Sequence, residues 1–203
     1  MTGVQTCALP IFRLALAAEY KDEATSQHLK RVSAYSRIIA EKYGLSEEDL
    51  DNIEIGAPLH DIGKIGIPDN ILLKTEKLTK EEYEIIKKHP SIGYEILKES
   101  RSPYLKTAAL ICLKHHEYFD GTGYPNGLKG EDIHIYGRIV ALADVFDALT
   151  SKRSYKEPFS IEKTVDMIKS KSGTQFDPKV VDAFLESLDE IKKYIKFFED
   201  SPV

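Results

Sequence analysis

The chain has 203 residues, of which 42% are hydrophobic and 30% charged, which suits one core and one domain rather than two. Its net charge of -5 argues against a general nucleic-acid or membrane binder, because either would favour a basic surface. Two cysteines far apart, Cys7 and Cys112, indicate neither a disulfide framework nor a thiolate zinc site, so a reducing cytoplasm is the expected setting.

The first eleven residues, MTGVQTCALPI, resemble the translation of a common sequencing-library adapter. We interpret residues 1–11 as a non-native segment to be set aside from the fold, with an ordinary disordered N-terminus as the alternative. Residues 12–203 are then expected to form one domain, and the natural protein is expected to continue upstream of Phe12.

After this segment, apolar residues recur at three-and-four spacing nearly throughout, which predicts an all-α domain. An amphipathic helix is expected over SQHLKRVSAYSRIIAEKYG, with His28 near its start and its last glycine as the stop. Ser46 should cap a second helix that runs to Gly63 and carries His60 and Asp61 on its last turn.

The next segment, KIGIPDNILLKTEK, mixes proline, glycine and asparagine with short apolar pieces, and it predicts a connecting loop packed by its own isoleucines and leucines. Thr79 and Glu82 form a capping box for a helix over KEEYEIIKKHP. Pro90 should end that helix, so His89 is expected at a helix C-terminus. A further helix should run from about Pro103 to His116.

The glycine-rich turn DGTGYPNGL follows, and Gly121 and Gly123 are expected to adopt backbone angles that bulkier residues resist. The most apolar run of the chain, IVALADVFDAL, falls short of the roughly 20 residues of a membrane span and is interrupted by Asp144 and Asp147. It predicts a central helix with both aspartates on one face. The Asp-Pro pair in FDPKVVDAFLESL predicts the N-cap and first turn of another helix.

Histidines and acids accumulate at the ends of the predicted helices. One histidine at such a place is more often a capping or hydrogen-bonded residue than a ligand, but several such places can converge on one pocket in a small bundle. Imidazoles and carboxylates without thiolate suit Mn, Fe, Co, Ni or Zn, and an aspartate can bridge two ions. The candidate ligands are His28, His60, Asp61, His89, His115, His116 and Asp144.

Three longer blocks, LHDIGKIGIP, HHEYFDGTGYP and RIVALADVFDALTSKRSYK, resemble the signature motifs of the HD-GYP family, a branch of the HD metal-dependent phosphohydrolases. The resemblance runs from about Glu19 to FDP, nearly the whole chain after its first segment. It implies an all-helical bundle of the HD-domain phosphohydrolase type. It also implies hydrolysis of cyclic di-GMP to pGpG and GMP by a hydroxide shared between metal ions.

Carried over position by position, the resemblance makes the seven candidates metal ligands, with Asp61 as the bridge. Asp61 and Lys64 are the catalytic residues that it implies. It places Lys64, Arg153 and Lys156 at the substrate phosphates, although Lys156 taken alone is better interpreted as a solvated surface charge. Cationic side chains on a phosphodiester are expected on physical grounds as well.

The turn after the histidine pair is the GYP motif in this comparison, and Tyr124 is implied in contact with substrate or with partner domains. From the residues themselves, Asp120 is expected to order the turn through an Asx-type hydrogen bond. Asp147 is expected to orient a ligating histidine, with a simple surface carboxylate as the alternative.

The number of metal ions follows from a departure from the family pattern. Ala24 stands where members with three metals carry a carboxylate, so we expect two divalent ions, iron or manganese, rather than three. Glu19 and Asp22 are substitute carboxylates if the segment is not helical.

The expected partner is a cyclic dinucleotide, with no DNA and no membrane span. An upstream receiver or sensory domain, protein partners at the GYP motif and a homodimer are all compatible with the family. Two other functions stay open. One is hydrolysis of another cyclic dinucleotide such as cyclic GMP-AMP, and the other is a catalytically silent nucleotide-sensing or docking module.

Overall fold

The computed structural model describes residues 3–21, 26–152 and 157–200, except for the side chains of residues 3–7 and 198–200. In this part of the chain there are eleven α-helices and no strand, which confirms the predicted all-α class. The helices are α1 (Gly3–Glu19), α2 (Ser26–Tyr43), α3 (Glu47–Gly56), α4 (Asp69–Leu72), α5 (Lys80–Ile86), α6 (His89–Leu97), α7 (Pro103–Lys114), α8 (Ile135–Thr150), α9 (Ile161–Ser170), α10 (Pro178–Glu186) and α11 (Leu188–Asp200).

The main core lies where α2, α8 and α10 meet. Tyr35 of α2 and Phe184 of α10 both make edge-to-face contacts with Phe146 of α8, and all three rings are at most 1% exposed. Each buried ring of this size contributes roughly 2–3 kcal/mol of hydrophobic free energy. This packing holds α8, which carries Asp144, against α2, which carries His28.

A second, smaller core joins α1 to α3, α6 and α7. Ala15 of α1 and Leu59 are buried in it, together with Cys112 of α7. The helices approach closely because Gly93 stands opposite Cys112: a Cβ at Gly93 would lie 2.9 Å from the cysteine Sγ. Helix α1 runs through Pro10 without a break, so the boundary predicted after residue 11 falls inside a helix.

The second predicted helix ends earlier than expected. Helix α3 stops at Gly56, and the chain continues as two short 3-10 helices, Ala57–Leu59 and Ile62–Gly66, with His60 and Asp61 in the turn between them. The expectation of one helix to Gly63 was wrong because Pro58 has no amide hydrogen and its ring would clash with the Glu54 carbonyl. The hydroxyl of Ser33 donates to that carbonyl instead, at 2.6 Å.

The position of His89 also differs from the prediction. Helix α5 ends at Ile86, and α6 begins at His89 with Pro90 in its first turn. His89 therefore lies at a helix N-terminus, because proline is tolerated where its missing amide hydrogen would have no helical partner. A Cβ at Gly63 would lie 1.9 Å from the His89 carbonyl oxygen. Only a glycine lets the start of α6 touch the turn that carries Asp61.

Several local signals act as predicted. Ser46 closes a capping box with Asp49, Thr79 closes one with Glu82, and Asp177 caps α10 through the amide of Lys179. The segment expected to be a loop between residues 64 and 77 instead includes the four-residue helix α4. Among the described helices, none combines the length and apolar character needed to cross a membrane.

Candidate metal centre

Side chains from five parts of the chain converge on one place. Helix α2 supplies a histidine, the turn between the 3-10 helices supplies a His-Asp pair, and the start of α6, the end of α7 and the middle of α8 supply the rest. All seven ligands predicted from the sequence are brought together: His28, His60, Asp61, His89, His115, His116 and Asp144.

The donors form two groups. Asp61, His89, His115 and His116 make the first, which we call the three-imidazole group. The second, which we call the two-imidazole group, consists of His28, His60 and Asp144. Within each group, one donor atom from every residue lies within 4.8 Å of the others, a spacing that one ion could span.

Asp61 lies between the two groups. Its Oδ1 is 3.1 Å from Nε2 of His89 and 3.4 Å from Nε2 of His115. Its Oδ2 is 3.3 Å from Nε2 of His60. The two oxygens of one carboxylate therefore face the two groups separately, which is the arrangement that a bridging ligand requires.

The backbone sets which ring nitrogen of each histidine faces the centre. In each of three histidines, Nδ1 lies close to a backbone carbonyl oxygen. For His60 this is the oxygen of Ala57, at 3.0 Å. For His89 it is the oxygen of Ile86, at 2.8 Å, and for His115 that of Cys112, at 3.0 Å. A carbonyl only accepts, so each Nδ1 must carry a proton, and in the neutral ring the lone pair is on Nε2.

The Nε2 atoms of these three histidines and Asp61 Oδ1 are buried, and none makes a hydrogen bond within the described part of the chain. Buried acceptors that face one another without donors are unfavourable unless a cation lies between them. The donor set therefore fits divalent metal ions.

Protonation differs between the two groups. Burial lowers the pKa of His115 despite the attraction of Asp61, and burial with repulsion from His115 holds the pKa of His116 well below its usual range. Burial also disfavours the charged form of His60, but the attraction of Asp61, Asp144 and Glu19 outweighs it and raises the pKa of His60 to about 9. Without metal, the two-imidazole group therefore holds a proton at neutral pH.

His28 is oriented by a carboxylate on α8. Its Nδ1 lies 2.8 Å from Oδ2 of Asp147, a residue that is 1% exposed. Arg31 donates to both oxygens of Asp147, from Nε at 2.5 Å and from Nη2 at 3.0 Å. Despite burial, these partners lower the pKa of Asp147. The contact expected of Asp147 is present, whereas Arg31 escaped sequence reasoning although its spacing of three residues from His28 places both on one helix face.

Lys64 and Tyr124, both predicted to contact substrate, line the centre. The Lys64 Nζ lies 2.8 Å from Oδ2 of Asp61. The Tyr124 ring stacks on His116 with centroids 4.7 Å apart and an angle of 22°, and Nζ of Lys87 is 5.7 Å from the Tyr124 centroid. Arg153 and Lys156, the other predicted phosphate-binding residues, lie outside the described residues.

The GYP turn is held by Glu117, which sequence reasoning missed. Its carboxylate is 3% exposed and accepts from the amides of Asn126 at 2.8 Å and Leu128 at 2.9 Å. The only sequence signal was an acid directly between the histidine pair and the turn. Asp120 makes the expected Asx-type bond, accepting from the Thr122 amide at 2.9 Å.

The two glycines of this turn serve different purposes. Gly121 has φ +89°, as predicted for a residue that must adopt left-handed backbone angles. Gly123 does not have a positive φ, so the same expectation for it was wrong. A Cβ at Gly123 would lie 2.2 Å from the Tyr118 amide nitrogen. A glycine is needed at this position because the backbone at Gly123 passes close to the backbone at Tyr118.

Comparison with known proteins confirms the family resemblance that the sequence motifs indicated. Residues 14–180 match the family model described as HD domain. The chain is 49% identical over 181 residues to the cyclic di-GMP phosphodiesterase response regulator RpfG of Xanthomonas campestris, covering 89% of this chain and 48% of that protein. It is 52% identical over 178 residues to a cyclic di-GMP phosphodiesterase of Thermotoga maritima, covering 88% of this chain and 48% of that protein.

A third relative has a different substrate in its name. The chain is 46% identical over 180 residues to 3'3'-cGAMP-specific phosphodiesterase 2 of Vibrio cholerae, covering 89% of this chain and 34% of that protein. Among solved structures, the cyclic GMP-AMP phosphodiesterase V-cGAP3 of V. cholerae has a TM-score of 0.67 at 22% identity, covering 90% of this chain and 48% of that one. This likeness confirms the predicted HD-type helical fold. The chain spans about half the length, or less, of the curated relatives that it matches.

Proposed function

Because this chain belongs to the HD domain family of metal-dependent phosphohydrolases, we propose that it is a phosphodiesterase that hydrolyses cyclic di-GMP to pGpG and GMP. The observation that carries the proposal is the pair of donor groups joined by the two oxygens of Asp61. Two relatives at 49% and 52% identity bear that activity in their names, which supports the choice of substrate.

We expect two ions in this centre, iron or manganese, with one in each donor group and Asp61 shared between them. A third ion is not expected, since Ala24 stands where a further carboxylate would be needed. Two divalent ions would lower the pKa of a shared water and offset the negative charge of the phosphodiester. Imidazole and carboxylate donors without thiolate suit these metals, but affinity order alone would not select them.

Residues of the chain would position the metal ions and bind the substrate in this mechanism. Asp61 keeps the donor groups together, and Lys64 places an ammonium beside it, where charge on a non-bridging phosphate oxygen would develop. Tyr124 stacks on His116 and offers an aromatic edge to the nucleotide. We assign Arg153 and Lys156 to the phosphates on the basis of the family resemblance alone.

Turnover tests the proposal directly. The protein would be purified without oxygen, reconstituted with Fe(II) or Mn(II), and assayed for product with metal content determined in the same sample. Production of pGpG or GMP with about two ions per chain is the expected result. No product despite full loading would contradict the proposed activity, and nucleotide binding without product would indicate a sensing or docking module.

A second candidate substrate is 3'3'-cyclic GMP-AMP, favoured by the 46% identical relative with that specificity in its name. The same assay should therefore compare the two cyclic dinucleotides at equal concentration. A higher kcat/KM for cyclic GMP-AMP would overturn the choice of cyclic di-GMP but leave the phosphodiesterase class intact.

A further inference from the structure

Glu19 is a buried acid close to the metal centre that does not belong to either donor group. It is the last residue of α1 and is only 3% exposed. Its Oε2 is buried and makes no hydrogen bond with any residue that the structure describes. An ionised carboxylate in such a place is strongly unfavourable unless a cation lies beside it.

The surroundings of Glu19 show where that cation would be. Helix α1 packs against both 3-10 helices, Ala57–Leu59 and Ile62–Gly66, which flank His60 and Asp61. The charges of Asp61, Lys64, His60 and His28 all act on Glu19. Glu19 therefore lies on the side of the centre formed by the two-imidazole group.

Among the residues that the structure describes, the charges on this side do not balance. Asp61, Asp144 and Glu19 contribute three carboxylates, and Lys64 lies 2.8 Å from Asp61. The neighbouring Asp147 is already matched by Arg31. Even with a proton on His60, this residue and Lys64 offset only two of the three carboxylates, so this side has room for additional positive charge.

We propose that Glu19 is a carboxylate of the metal centre that stabilises the ion held by His28, His60 and Asp144, and thereby strengthens the binding of that ion. This inference rests on the metal binding that the proposed function requires. It adds an oxygen donor on the side that otherwise has one carboxylate of its own, Asp144, besides the shared Asp61.

The test compares Glu19→Gln, which keeps the shape of the side chain and removes its charge, with Glu41→Gln, which removes a charge from an exposed position of α2. Mn(II) binding isotherms and melting temperatures, with and without Mn(II), would be measured for both variants and for the unaltered chain. A Glu19→Asp variant adds a carboxylate of shorter reach.

For Glu19→Gln, we expect one of the two Mn(II) sites to weaken by about 10–100-fold and the other to stay unchanged. The metal-free variant should be at least as stable as the unaltered protein, because a buried charge has been removed, while its gain in melting temperature on adding Mn(II) should shrink. Glu41→Gln should match the unaltered protein throughout. Glu19→Asp should fall between the two.

Unchanged Mn(II) affinity in Glu19→Gln would overturn the inference. So would an equal loss of melting temperature with and without Mn(II), because that result indicates a role in the fold alone. None of these readouts requires turnover. Normal binding of two ions by a protein that does not hydrolyse cyclic di-GMP would therefore reject the proposed activity and leave the role of Glu19 to be decided by the variant.

Discussion

The two donor groups contain the same residue types but differ in protonation before metal arrives. In the three-imidazole group, burial keeps the pKa of His115 and His116 low, so these rings are ready to bind an ion. In the two-imidazole group, three nearby carboxylates outweigh burial and raise the pKa of His60 to about 9. The number of carboxylates near the histidines, and not the number of imidazoles, therefore decides which group is unprotonated and able to bind a metal ion at neutral pH. We expect the three-imidazole group to bind the first ion.

Removing the carboxylate of Asp61, which the two donor groups share, should weaken metal binding in both groups. Asp61→Asn leaves one amide oxygen that cannot bridge two ions, so both groups should lose affinity and turnover should fall by at least about 10³-fold. Metal content and product formation would be measured on the same sample. Asp182→Asn, at an exposed position of α10, is the matched control. Turnover at the unaltered rate in a metal-loaded Asp61→Asn variant would show that the bridge is wrongly assigned.

Removing one ligand from each group should separate the two sites. His28→Ala should leave about one ion per chain, bound tightly in the three-imidazole group. His89→Ala should also leave about one, but bound more weakly and more sensitive to acid, because the remaining group must lose a proton first. Elemental analysis and Mn(II) titration at pH 7 and pH 9 would distinguish the two variants. Identical titrations for both would contradict the proposed order of binding.

A smaller effect should follow from the residue that orients His28. Asp147→Asn weakens the hydrogen bond to Nδ1 and leaves Arg31 without its ionic partner, so affinity at the two-imidazole group should fall by about 10–100-fold. The three-imidazole group should keep its affinity. Calorimetric Mn(II) titration would resolve the two sites, and equal weakening of both would mean that the variant disturbs the fold instead.

An effect of at most similar size is the pH dependence of the weaker site. Since the pKa of His60 is about 9, its proton is displaced by the ion below that pH, and apparent affinity should rise about tenfold from pH 7 to pH 8 and level off as the pH passes about 9. Titrations in two buffers of different ionisation enthalpy would report the proton released. Binding without proton release at pH 7 would contradict the raised pKa.

The same shift predicts how the metal-free protein responds to pH. A raised histidine pKa contributes stability that is fully present below 6.5, the ordinary value, and is lost as pH rises through about 9. His60→Gln should remove this part of the pH dependence. Melting curves in chelator between pH 6 and pH 9.5 would show whether it does.

Helices with local start signals were predictable from the sequence, because Ser46, Thr79 and Asp177 act within three residues of themselves. The changes of chain direction that orient the candidate ligands were not predictable from the sequence. A helix boundary was predicted at Pro90, whereas the boundary at Pro58 was missed. Whether a proline ends one helix or starts the next depends on packing against distant residues such as Gly63.

The residues of the candidate site likewise include some that could be predicted from the sequence and some that could not. The seven ligands could be named from motif blocks that repeat a known pattern, and the structure brings them together. Asp147 could also be named as a residue that orients a histidine, but Arg31 could not, because it reaches Asp147 across 116 positions. Glu19 could be named only as a substitute carboxylate, because its place beside the centre depends on the packing of α1. Such contacts leave no periodic signal in the chain.

Glu117 links the GYP turn to the histidine pair, since it follows His116 directly and holds the amides of Asn126 and Leu128. A partner that binds this turn would therefore contact a segment that is hydrogen-bonded to the residue following the histidine pair. By thermodynamic linkage, a partner that prefers the metal-loaded turn must tighten metal binding by the factor with which metal tightens the partner. Glu117 is thus the contact through which a change in the turn would reach His116.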